Sequence, residues 1–228
     1  EVAGKPLVGG RLGFSAEAIA RLEPDLVVMT PARQAAHALT EPLARLGVPA
    51  LVVAHRDLEQ VFGNIALLAR ATGAEDAVLS GLRGRLAAVD ARLAGRPRPT
   101  VFLETGSNGR GAFGTARPGT YTADILRRAG GVPALPHLAE AGPAQVSGEA
   151  VLRADADVYL LAGRPDQAAE AAARPGFGAL RAVRAGRLHA VPRAELLIPG
   201  PRVVAGVERL ARLLHPEAFA APLVAAAP

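Results

Sequence analysis

The sequence predicts an α/β protein of two lobes with parallel sheets, joined by one long helix. Three observations carry this prediction. Short apolar runs alternate with helical patterns, as βαβ units require. One helical pattern outruns its neighbours and ends in a proline-rich break. A Ser–Glu–Asp pattern occurs twice, once on each side of that helix.

The predicted strands are Asp25–Met29, Ala50–Ala54, Thr100–Leu103, Val158–Ala162 and Leu188–Val191, each compact and apolar as a buried parallel strand should be. A first helix begins near Ser15 and stops at Pro24. A second begins at Asp57, where Gln60 sits three residues on as in a capping box. Its apolar residues Leu58, Val61, Phe62, Ile65 and Leu68 keep helical spacing, and Gly73 is a natural stop. From Glu75 to about Ala94, the residues Val78, Leu79, Leu82, Leu86, Val89 and Leu93 mark one stripe. Such a helix is a rod of roughly 30 Å. It runs into Gly95-Arg-Pro-Arg-Pro99, which cannot continue a helix. The expected organisation is therefore a lobe over 1–74, a connecting helix over 75–95 and a lobe over 96–228.

The repeat supports that division. Ser15, Glu17 and Asp25 precede Leu-Val-Val; Ser147, Glu149 and Asp157 precede Val-Tyr-Leu, at the same spacings. Each copy reads as a Ser-capped helix with Glu in its first turn, a tight turn, and a buried strand. A first-turn carboxylate is favoured by the helix dipole alone. Its matched placement in both halves also suits a pair of negative handles for arginines on a partner.

Composition narrows the function. The 228 residues suffice for one large domain or two small ones, and half of them are apolar. No apolar run approaches the roughly 20 residues that span a bilayer, and no export signal is present in the sequence as given. The absence of cysteine excludes disulfides and thiolate chemistry. The net charge is +5, and Lys5 is the only lysine. The arginines are spread through every segment and aromatics make up only 4% of residues, so they read as solvated faces and no nucleic-acid partner is expected.

No catalytic constellation emerges. His37, His55, His137, His189 and His215 never stand three or four apart, and each reads as a surface or loop residue. No HExxH, nucleophile elbow or Walker lysine occurs, so no catalytic residue, metal site or cofactor is expected. The glycine-rich stretch Gly106–Gly119 fits neither phosphate-binding fingerprint. It reads instead as a mobile rim at the carboxyl end of a strand, where open α/β sheets bind ligands. There Arg110 and Arg117 suit an anionic ligand, and Phe113 and Tyr121 suit a flat one.

Taken in order, several stretches resemble the class III substrate-binding proteins of ABC importers for metal chelates, the family of vitamin B12, ferric-siderophore and haem binders. They are Val8-Gly-Gly, Glu17 to Val28, the long helix, Thr100-Val-Phe-Leu, Ala129-Gly-Gly131 and Gln145-Val-Ser-Gly-Glu149. Phe177 to Val183, Gly186 to Val191, and Gly200-Pro-Arg202 with a final helix ending at His215-Pro complete the set. The resemblance implies two Rossmann-like lobes, the first incomplete at its N-terminus because the strand and helix that normally precede Val8 are missing. It also implies a metal-chelate ligand (cobalamin, ferric siderophore or haem) held in a cleft and delivery to the importer's transmembrane permease; one stiff helix as connector predicts small lobe movements. Glu17 and Glu149 would dock on that permease. Arg11, Thr30 and Arg33 would face the ligand from the first lobe, and Phe113, Arg117 and the Arg193–Leu197 loop from the second. The implied protein is a monomer that works outside the cytoplasmic membrane, periplasmic or lipid-anchored. The aromatics of a B12 cleft are unmatched, since Arg11, Thr30 and Pro143 stand near those places; this tilts the cleft toward a smaller or more anionic chelate. Two other readings stay open: an enzyme with a Rossmann-like sheet acting on a nucleotide or sugar, and a cytoplasmic ligand-sensing domain.

Overall fold

Every apolar run read as a strand is one in the computed structural model, which describes residues 4–10, 13–30, 36–74, 77–138 and 144–220. The chain divides into two units, Glu1–Ala54 and His55–Pro228.

In the smaller unit, β1 (Gly9–Gly10) pairs antiparallel with β2 (Gly13–Phe14). Helix α1 (Ala16–Ala20) follows at once, because the Ser15 side chain accepts a hydrogen bond from Ala18 N at 3.1 Å. Next come β3 (Val27–Met29), α2 (Ala36–Arg45) and β4 (Ala50–Val52), with β3 and β4 parallel.

The larger unit opens with α3 (Leu58–Thr72) and α4 (Ala77–Leu93). Asp57 caps α3 by accepting from Gln60 N, and Gly73 ends it in the left-handed conformation. The Gln60 side chain reaches back to Arg56 N, one residue past the N-cap amide of the expected reciprocal bond. Leu58, Val61 and Phe62 are buried with the larger unit's core, and Leu58 N donates to Asp124. That is why the division falls after Ala54, ahead of the expected boundary at 74. On α4, Leu82, Leu86 and Val89 are buried as predicted, whereas Val78 is 58% exposed, one turn before the packed stretch.

The remaining elements are β5 (Thr100–Ser107), β6 (Ala112–Thr115), α5 (Tyr121–Arg128), β7 (Val132–Pro133), β8 (Gln145–Ser147), α6 (Gly148–Ala154) and β9 (Val158–Ala162). They continue with α7 (Asp166–Ala172), α8 (Arg181–Arg184), β10 (Leu188–Val191), α9 (Arg193–Leu196), α10 (Val203–Leu214) and α11 (Pro216–Ala220). The sheet runs β10-β9-β5-β6-β8, with β7 beside the start of β5. Its β10, β9, β5 and β7 pairings are parallel, as predicted; β6 pairs antiparallel with both β5 and β8. Alternation along the strands feeds two cores. Val101, Leu103, Val158 and Leu160 pack with α4, α5 and α10, while Phe102 and Tyr159 pack with Phe113, Phe177 and Leu180 on the other face. At roughly 1.5–3 kcal/mol for each fully buried large side chain, these two layers dominate the unit's stability.

The stretch Gly106–Gly119 departs from the expected rim. β5 runs on to Ser107, turns, and returns as β6. The Asn108 carboxamide makes the turn by accepting from Arg110 N and Ala112 N, and Gly109 and Gly111 supply its left-handed residues. The glycines therefore build a hairpin. His215 is also not a surface residue. It is 3% exposed, and its ring nitrogen lies 3.2 Å from the Gly130 carbonyl oxygen.

Candidate functional site

Parallel strands put all their carboxyl ends on one edge of a sheet. In the larger unit that edge carries Ser107, Ala162 and Val191. Because β8 is antiparallel to β6, which is antiparallel to β5, Ser147 ends at the same edge.

A cavity of about 700 Å³ opens there, bordered by Gly106, Gly163, Arg164, Arg174 and Arg193 with Glu104 at its floor. Glu104 is the charged residue that follows the apolar Val101-Phe-Leu run, and it is 2% exposed. Arg174 binds it through both terminal nitrogens at 2.6 and 3.0 Å, and the Tyr159 hydroxyl donates to it at 2.6 Å. Burial opposes the charge on Arg174 most, yet its bonds to Glu104 keep its pKa above the ordinary arginine value. The Tyr159 hydroxyl is pushed up, by burial first and then by the Glu104 charge. The Arg174 guanidinium also lies 4.9 Å from the Phe113 ring centre and 5.7 Å from that of Phe177. A second cavity of about 370 Å³, lined by Gly111, Phe113, Gly148 and Phe177, shares Ser107 and Arg174 with the first.

Two sequence-predicted residues border this pair of cavities. Arg193 stands at the first, where it donates to the carbonyls of Thr105 and Ala162. Phe113 lines the second, though only 5% of it is exposed. Tyr121 lies elsewhere, in the core. It is 5% exposed, meets His55 edge-on at 6.3 Å between ring centres, and donates to the Ile198 carbonyl. Burial raises its hydroxyl pKa strongly. Arg117 is half-buried, and its carbonyl accepts from the Thr120 hydroxyl that caps α5. Thr30 is exposed just past the carboxyl end of β3. Arg11, Arg33 and Pro143 lie outside the described residues.

Both predicted docking acids are exposed in the first turns of serine-capped helices. Glu17 accepts from the Ser15 hydroxyl at 3.1 Å. Its own backbone N–H, then that hydroxyl, hold its pKa below the usual carboxylate value. Glu149 pairs with Arg153 one turn on, at 2.9 Å. The repeat is deeper than its sequence pattern. Each copy follows an antiparallel strand pair, and each turns through an acidic residue in the left-handed region, Glu23 at φ 48° and Asp155 at φ 38°. Non-glycine residues seldom adopt that conformation, so its recurrence at the same place marks a shared turn.

Sequence reasoning missed Glu104, Arg174, Tyr159 and Arg164. Only Glu104 left a signal, a lone charge extending an apolar strand; Arg174 sits in an unpatterned Ala-Arg-Pro-Gly stretch. Among the described residues, no group of three or more His, Asp or Glu side chains is gathered as a metal site.

The chain is similar to several known proteins. The haem-binding protein BhuT in complex with two haems superposes with a TM-score of 0.76 at 28% identity, over 94% of this chain and 83% of that one. A periplasmic haem-binding protein from Pseudomonas aeruginosa gives 0.74 at 26% identity, over 92% and 78%. An ABC-type Fe3+-hydroxamate transport protein from Saccharomonospora viridis gives 0.68 at 26%, over 94% and 75%. No curated protein sequence matches the chain significantly. The family model described as periplasmic binding protein matches residues 1–194, and the chain belongs to that family.

Proposed function

We propose that the protein works outside the cytoplasmic membrane as a solute-binding protein, capturing an anionic iron chelate and delivering it to the permease of an ABC importer. It performs no bond chemistry. The observation that carries this reading is the groove at the carboxyl edge, where Arg164, Arg174 and Arg193 stand beside the phenylalanines Phe113 and Phe177. Guanidinium groups pair carboxylates or an anionic chelating shell, and the buried rings of Phe113 and Phe177 hold Arg174 in place at the groove. Three neighbours above 25% identity are named for haem and Fe3+-hydroxamate, which supports the same ligand class. The matched Glu17 and Glu149 supply the negative handles for permease arginines.

Calorimetry with haem, a ferric hydroxamate and cobalamin tests the ligand. One of the two iron chelates is expected to bind, and Arg193→Ala to weaken it by about tenfold, the scale of one lost charge-assisted bond. No binding by any of the three sinks the proposal. For docking, Glu17→Ala with Glu149→Ala should leave ligand affinity intact and lower uptake; unchanged uptake overturns that role.

A further inference from the structure

The opposite edge of the larger unit's sheet, where β5, β7 and β10 begin, is lined by arginines. An open cavity of about 690 Å³ lies there between the ends of α4 and α5, bordered by Asp90, Arg96, Arg98, Asp124, Arg127 and Arg128. Four arginines border it with two carboxylates, and a third, Glu217, reaches one of them from outside the lining. Arg127 pairs with Asp124 at 2.8 Å and Arg128 with Asp90 at 2.7 Å. Arg96 donates to the Arg92 carbonyl and stands 3.6 Å from Glu217, while Arg98 donates only to the Arg127 carbonyl among the described residues.

Arginines near helix C-termini are favoured by the helix dipole, which accounts for Arg127 and Arg128 in the last turn of α5. Arg96 and Arg98 lie beyond α4, and each spends a donor on a last-turn carbonyl, Arg96 on that of Arg92 in α4 and Arg98 on that of Arg127 in α5. Gly95 turns the chain at φ 71°, and Pro97 and Pro99 then stiffen the backbone on both sides of Arg98. A guanidinium has five N–H donors, and each of these four spends one or two on the described residues. What remains is a pre-set cluster of fork-shaped donors with a surplus of positive charge. We propose that this amino-edge cavity binds a phosphate-bearing anion, large enough to carry two phosphoryl groups or presented as a lipid headgroup. Phosphate suits it better than carboxylate. It presents its oxygens tetrahedrally and so can engage forks from several directions, where a carboxylate offers two oxygens in one plane. The site is separate from the carboxyl-edge groove and does not rest on the ligand proposed for that groove.

Calorimetry with inorganic phosphate and pyrophosphate tests the free anion, and co-sedimentation with phosphatidylglycerol against phosphatidylcholine vesicles tests the headgroup. Saturable binding of pyrophosphate, of phosphatidylglycerol vesicles, or of both supports the site, and the arm that responds identifies the source. Arg96→Ala with Arg98→Ala should weaken that binding about tenfold or more, with Arg96→Lys and Arg98→Lys restoring part of it. Thermal melts verify that each variant is folded. The charge-matched Arg56→Ala with Arg70→Ala, on exposed positions away from the cavity, should bind as the parent does. Failure of every probe to bind overturns the proposal. So does an equal loss in the Arg56 and Arg70 variant, which would show a general charge effect.

Discussion

In the smaller unit the helix after Ser15 has five residues and buries only Ile19. In the larger unit the helix after Ser147 has seven, and the strand that follows is buried at all five positions. The two copies start alike, with cap bonds of 3.1 and 3.2 Å, and both turn through a left-handed acidic residue. They diverge where other elements arrive. Asp157 is bonded by Thr100 and Arg181, whereas its counterpart Asp25 is exposed. Local sequence therefore specifies the cap and the turn in both copies, and tertiary packing decides what each copy is worth.

Matched substitutions would break this comparison most directly in the strands. Leu160 is fully buried and Val28, at the equivalent place, is 46% exposed. Leu160→Ala should cost about 2–5 kcal/mol, and Val28→Ala less than about 1 kcal/mol. The two tyrosines, Tyr121 and Tyr159, both belong to the larger unit and the chain has no tryptophan. Tyrosine fluorescence in a denaturant titration thus reports the larger unit, and amide exchange reports the smaller. Equal costs at the two positions would show that the copies are packed alike.

The acids before the strands come next. Asp157 accepts from Thr100 N at 2.9 Å and Thr100 Oγ1 at 2.7 Å, and receives Arg181 at 2.8 Å. Removing it strands a backbone donor, so Asp157→Ala should cost about 1–3 kcal/mol. Asp25→Ala should stay within about 0.5 kcal/mol by the same measurements.

This contrast also explains what could be read from the sequence. Strand runs, the caps at Ser15, Asp57 and Ser147, and the stop at Gly73 are local signals, and each forms where its residues stand. The hairpin at Asn108 was hidden, because Ala112-Phe-Gly-Thr has no clear alternation and its glycines suggested a loop. At the groove, Phe113 stands out as an aromatic in the glycine-rich stretch after a strand, whereas Arg193 is indicated only by the family resemblance. Arg174 was not legible, because its role comes from Glu104 and Tyr159, which are distant in sequence and meet it only through the sheet. Tyr121 offered an aromatic ring that packing consumed.

The caps should sharpen the comparison by showing no difference. Ser15→Ala and Ser147→Ala each remove one side-chain acceptor at a helix N-terminus, worth about 1 kcal/mol. Near-equal losses, read by amide exchange in each unit, are expected. A loss confined to the larger unit would mean that the smaller helix is held by something other than its cap.

The smallest effect concerns acid. His189 lies half-buried on β10, and its pKa is lowered from 6.5, chiefly by burial and then by the Arg187 charge. A depressed folded pKa means that the unfolded chain takes up the proton first. The stability is complete above about pH 6.5 and falls as the pH drops from there through the folded value. His189→Gln has no proton to gain, so tyrosine-monitored unfolding of this variant should lose less stability than the parent below pH 6.5. The two should titrate in parallel above it. An acid slope unchanged by the substitution would assign the loss instead to carboxylates such as Asp157, whose bonds to Thr100 hold its pKa low and whose contribution disappears at still lower pH.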